Sequence, residues 1–181
     1  MRANAHGIND LGNTYIEVDL TEQYMWYYQN GNIIFQSEIV SGLPSDPDRK
    51  TPPGIFTLNS KSSPSVLRGE MTANGTYSYE QPVTYWMPFN GGIGFHDADW
   101  QPYFGGDRYL TGGSHGCINL PYSAAKTIYE NIEAGYPVLV YELPGTESQK
   151  GKDMDAASAV DEAITSIGTV TLDSAGTIAS V

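Results

Sequence analysis

The sequence predicts a mainly β domain of sandwich type with one principal helix, followed by a short helical segment at the C-terminal end. Three observations carry this. Apolar residues recur at alternate positions in short runs, Gly and Pro punctuate those runs, and before residue 144 only one stretch repeats at helical spacing. A chain of 181 residues can hold one domain with a sizeable core and some additional structure. Its 40% hydrophobic content, 20 glycines and 11 prolines suit a folded, turn-rich chain rather than a disordered one.

From Thr14 the chain reads as strand, with Ile16, Val18 and Leu20 alternating with Tyr15, Glu17 and Asp19, the period of a half-buried β-strand. Met25-Trp26-Tyr27-Tyr28 and Ile33-Ile34-Phe35 flank Asn30-Gly31, a hairpin signal because both residues tolerate positive φ. Pro44, Pro47, Pro52, Pro53 and Gly54 then divide the chain into turns before the strand Ile55-Phe56-Thr57-Leu58. Residues 59–81 are polar and irregular, the composition of a lid or of a solvated excursion, with Tyr77 and Tyr79 as its candidate contacts. Thr84-Tyr85-Trp86-Met87 and Ile93-Gly94-Phe95-His96 are further strands. The principal helix is expected over residues 121–133, where Ala124, Ala125, Ile128, Tyr129 and Ile132 form one apolar stripe behind Pro121. Pro137-Val138-Leu139-Val140-Tyr141 closes the domain. The organisation expected is a tail over 1–13, a domain over 14–143, a polar linker over 144–155 and a partial helical module over 156–181.

A net charge of −12 argues against nucleic acid or anionic lipid as partner, because both need clustered Lys and Arg. No stretch approaches the roughly 20 apolar residues of a membrane helix, and the first residues lack a secretion signal. The expectation is a mature piece of a larger protein. Its single cysteine, Cys117, cannot form an internal disulfide, which leaves a buried apolar filler or a working thiol. The setting Gly112-Gly113-Ser114-His115-Gly116-Cys117 is a glycine-rich turn ahead of the helix, where successive N–H groups can converge on one point. His96 and His115 supply candidate bases, while His6 lies in the tail. A zinc site on His96, His115 and Cys117 would lack a second Cys and short-spaced ligand pairs, so no metal and no cofactor is expected.

The run from His96 to Asn119, with residues 97–113 between the histidine and Ser114-His115-Gly116-Cys117-Ile118-Asn119, resembles the signature of the L,D-transpeptidase (YkuD-type) family. Ser41-Gly42-Leu43 and Thr51-Pro52-Pro53-Gly54-Ile55-Phe56 are similar to upstream family motifs, and the resemblance covers roughly residues 14–143, nearest to members from Gram-positive bacteria. It implies a β-sandwich-like fold and a peptidoglycan cross-linking enzyme. Cys117 would attack the third-residue carbonyl of a tetrapeptide donor stem, release D-Ala, and pass the acyl group from a thioester to an amine of a neighbouring stem as a 3→3 cross-link. His96 would be the general base, and Asp97 would orient it through its carbonyl or side chain. His115, Gly116 and Cys117 would offer oxyanion N–H groups, with Ser114 and Asn119 bracing the turn; many members have Arg where Asn119 stands. An imidazole near the thiol would form an ion pair with it. The resemblance also implies an extracellular location, inhibition by carbapenems and a monomeric catalytic domain. Hydrolysis of the same thioester, as an L,D-carboxypeptidase, and a non-catalytic wall-binding module remain alternatives. Residues 156–181 loosely resemble helical repeats of clostridial surface proteins.

Overall fold

A computed structural model describes residues 11–147. His6, most of the expected linker and the expected helical module over 156–181 lie outside the described residues. The first strands are β1 (Tyr15–Asp19), β2 (Tyr24–Gln29), β3 (Asn32–Glu38) and β4 (Gly54–Thr57). They join β10 (Pro137–Tyr141) in a sheet of order β3-β2-β1-β10-β4, in which β1 and β10 run parallel and the other pairs antiparallel. A second sheet has the order β7-β8-β9, from Trp86–Asn90, Ile93–Asp97 and Ile118–Leu120. Two helices complete the described elements used below, α1 (Arg108–Gly112) and α2 (Tyr122–Asn131).

The core lies where these pieces meet. Ile16, Val18, Met25 and Tyr27 come from the first sheet, Met87, Phe95, Ile118 and Leu120 from the second, and Ala124, Ala125, Ile128 and Ile132 from α2 and its end. Each fully buried large side chain contributes about 1.5–3 kcal/mol relative to exposure. The Asn-Gly hairpin forms as expected: Asn30 and Gly31 both take positive φ, 51° and 80°, so the turn twists with its strands. The helix behind Pro121 and the closing strand also stand where the apolar patterns put them.

Two expectations are corrected. The alternation in β1 does not mark one wet face, because all five residues are buried. Glu17 accepts the Tyr141 hydroxyl, and Asp19 accepts the N–H groups of Thr21 and Glu22 and the Thr146 hydroxyl. Leu11, Tyr15, Trp26, Tyr28 and Leu139 make a second apolar cluster, so packing reaches back to Leu11. Residues 59–81, read as irregular, include the hairpin of β5 (Ser65–Arg68) with β6 (Glu80–Val83), extended by a bridge between Met71 and Tyr77. Its strands show mostly exposed and half-buried residues, so no strong apolar alternation advertised them. The short helix α1 had no signal for the same reason: it buries no side chain.

Candidate active site

The second sheet separates core from chemistry by simple strand alternation. On β8 and β9 the residues Phe95, Ile118 and Leu120 face the core. The opposite face carries His96 beside Asn119 in the parallel register and beside Trp86 in the antiparallel one. Cys117, two residues before Asn119, falls on that same face next to Gly94. Its thiol donates to the Gly92 carbonyl at 3.5 Å and receives the Gly94 N–H. The structure thus gathers Cys117, His96 and Asn119 on one surface, with Cys117 half-buried and His96 almost wholly buried.

His96 is held by its neighbours. Its Nδ1 lies 2.9 Å from the Asp97 carbonyl oxygen, which fixes the tautomer with the proton on Nδ1 and leaves Nε2 as the basic atom. Trp100 stacks on the ring at 5.7 Å, and Trp86 tilts against it at 6.1 Å. Asp97 therefore orients the imidazole through its backbone. Its carboxylate is occupied elsewhere, accepting the N–H groups of Thr84 at 3.0 Å and Tyr85 at 2.7 Å.

Burial sets the protonation states. It pushes the Cys117 thiol up to about 11, with the Gly94 N–H pulling weakly the other way. It also pushes His96 below the ordinary histidine value, against the opposing Asp97 carbonyl and carboxylate. Both shifts favour the uncharged forms. That direction runs against the ion pair expected from proximity alone, and the Cys117 Sγ contact with the Gly92 carbonyl is one that a thiol can make.

The turn before Cys117 is built from polar bonds. Ser114 Oγ donates to the Cys117 carbonyl at 2.6 Å and accepts the Gly116 N–H at 3.0 Å. Gly116 adopts φ +108°, where an added Cβ would also press on Ile93. Behind the turn, Gly42 packs so closely that a Cβ would lie 2.1 Å from the Arg49 carbonyl oxygen. Ser114 N–H donates to the Ser41 carbonyl, and Gln23 fixes Ser41 by two bonds of 2.8 and 2.9 Å. The Arg49 guanidinium donates to the carbonyls of Gly113 and Ser114, and the Thr51 hydroxyl to that of Gly116. His115 points away from this frame, exposed and stacked on Tyr79 of the hairpin end at 5.4 Å. Burial and Arg49 lower its basicity, against Asp46. Tyr79 is raised by burial and then by Cys117, which puts this tyrosine near the thiol; Tyr77 instead lies against Arg68.

Sequence reasoning assigned no role to Arg49, Gln23 or Trp86. Thr51 stood inside a quoted motif and Trp100 within the spacer between His96 and Ser114, the one signal available for them. Among the described residues no three His, Cys, Asp or Glu side chains converge as metal ligands. No described helix is long and apolar enough to cross a membrane.

The chain also matches known proteins over most of the described residues. The model of the YkuD L,D-transpeptidase catalytic domain matches residues 13–140. A putative L,D-transpeptidase, YciB, of Bacillus subtilis (strain 168) is 29% identical over 133 residues, covering 70% of this chain and 64% of that protein. The crystal structure of an Enterococcus faecium L,D-transpeptidase mutant superposes with a TM-score of 0.65 at 48% identity, over 72% of this chain and 50% of that one. The catalytic domain from the E. faecium enzyme, acylated by ertapenem, gives 0.61 at 49% identity, over 71% of this chain and 97% of the domain. The chain thus spans about half of the longer E. faecium chain and nearly all of its catalytic domain.

Proposed function

The chain belongs to the L,D-transpeptidase catalytic domain family, and we propose that it cross-links peptidoglycan outside the cell by acyl transfer through Cys117. The observation that carries this reading is the only thiol of the chain lying on one face of β8 and β9 with a buried, tautomerically fixed imidazole. Cys117 Sγ attacks the third-residue carbonyl carbon of a tetrapeptide stem while its proton passes to His96 Nε2. The C–S bond forms and the carbonyl π pair moves onto oxygen. Collapse of that oxyanion breaks the C–N bond, and His96 returns the proton to the departing D-Ala amine. An amine of a second stem then attacks the thioester carbonyl, giving a 3→3 amide and the free thiol. Starting from neutral groups, His96 acts as a true general base during attack, a role worth about 10²–10⁴-fold. Ser114 keeps the turn in register, and Asn119, buried beside His96 and bonded through its backbone to Val40, braces the strand that carries the turn.

Disaccharide-tetrapeptides incubated with the protein test this by mass spectrometry. Dimers that have lost one D-Ala per cross-link are the expected product. Trimmed tripeptides alone would turn the reading to an L,D-carboxypeptidase, and no product at all to a binding module. Ertapenem should leave one covalent adduct on the intact protein and none on Cys117→Ala.

A further inference from the structure

The carbonyls of the catalytic turn are tied to two side chains that the reaction itself does not use. Arg49 Nη2 donates to the Gly113 carbonyl at 2.6 Å and Nε to that of Ser114 at 3.3 Å, which also takes the Leu43 N–H. Thr51, almost fully buried, donates its hydroxyl to the Gly116 carbonyl at 2.8 Å and accepts the Gly42 N–H at 2.8 Å. Both capacities of that hydroxyl are used along this axis, so it has one orientation.

The peptide bonds here are trans, and a planar trans peptide points each N–H opposite the preceding carbonyl. Holding the Ser114 carbonyl on Arg49 and Leu43 therefore turns the His115 N–H the other way. Holding the Gly116 carbonyl on Thr51 does the same for the Cys117 N–H. The Gly116 N–H is taken by Ser114 Oγ. This removes one of the three donors expected from the sequence, while the N–H groups of His115 and Cys117 have no acceptor among the described residues. Two donors without partners, facing away from two clamped carbonyls beside the thiol, form an anion site that needs no rearrangement when charge develops.

We propose that Arg49 and Thr51 are positioning residues that aim the His115 and Cys117 N–H groups as a two-donor oxyanion site. This rests on the reading of Cys117 as an acyl-transfer nucleophile. It predicts a split between two reactions of the same thiol. Acylation by ertapenem passes through a tetrahedral oxyanion, whereas displacement of iodide from iodoacetamide forms none.

Both rates can be followed by intact mass at one pH on wild type, Thr51→Val, Thr51→Ser and Arg49→Lys. Thr51→Val keeps the shape and loses the hydroxyl, so acylation should slow about 10- to 100-fold while alkylation stays within about twofold. Thr51→Ser should restore acylation. Arg49→Lys, which cannot reach two carbonyls with one planar fork, should slow acylation about tenfold and carries the same test if Thr51→Val does not fold. Wild-type acylation in both Thr51→Val and Arg49→Lys, or equal loss of both reactions, would overturn the proposal alone. A wild type that alkylates but never acylates would overturn the acyl-transfer reading and the proposal with it.

Discussion

The protonation state of Cys117 is open to a direct measurement through its reaction with iodoacetamide, which needs the thiolate. Burial raises the thiol from an ordinary value of 9.0 to about 11. Each unit is tenfold in the equilibrium, so near neutral pH the site holds about 100-fold less thiolate than an unperturbed cysteine. A more basic thiolate is intrinsically more nucleophilic. With a Brønsted slope of about 0.4–0.5, two units return a factor of about 6–10, leaving a net slowing of about tenfold. The alkylation rate, read by intact mass from pH 6 to 11, should therefore rise about tenfold per pH unit through pH 7–10 and level only near 11. Because His96 is itself held low by burial, no imidazolium is present in that range to stabilise a thiolate. A plateau with a midpoint below pH 8 would refute the reasoning, since it would require the thiolate–imidazolium pair that burial opposes.

Two further outcomes follow from the same geometry. Asp97→Ala leaves the Thr84 and Tyr85 N–H groups without their acceptor, and urea unfolding should show a loss of about 2–4 kcal/mol. The carbonyl that fixes the His96 tautomer remains in that variant, so acylation should persist, with its acid limb moved to lower pH because the carboxylate no longer raises His96. His96 is lowered from 6.5 by burial, so below that pH the unfolded chain takes up a proton that the folded chain refuses. Stability is then full above 6.5 and falls with acidification through the lowered folded value, at no more than about 1.4 kcal/mol per pH unit from this residue. His96→Gln should flatten that part of the pH–stability curve, and Trp100→Ala, by uncovering the ring, should bring the folded value nearer 6.5 and so shrink the loss. Urea midpoints between pH 4.5 and 7.5 check both.

Local chemistry made much of this protein legible. Asn30-Gly31 determined a hairpin because few residues accept positive φ twice in succession, and Pro121 with its apolar stripe determined a helix because those signals act within a few residues. The run from His96 to Asn119 pointed to the family and to the candidate thiol and base, since the residues that carry them lie within one short stretch of chain. Tertiary structure decided what depends on partners far apart in sequence. Glu17 and Asp19 look solvent-facing by alternation, yet both are buried, Glu17 on the Tyr141 hydroxyl and Asp19 on Thr21, Glu22 and Thr146. The Asp97 carboxylate looks like a partner for His96, yet Thr84 and Tyr85 claim it. Arg49 and Thr51 carry no chemistry of their own, and only folding sets them behind the carbonyls of residues more than sixty positions away. The direction in which Cys117 and His96 are shifted belongs to the same group: residue type supplies an ordinary acidity, and only the solvent excluded by the packed sheets moves it.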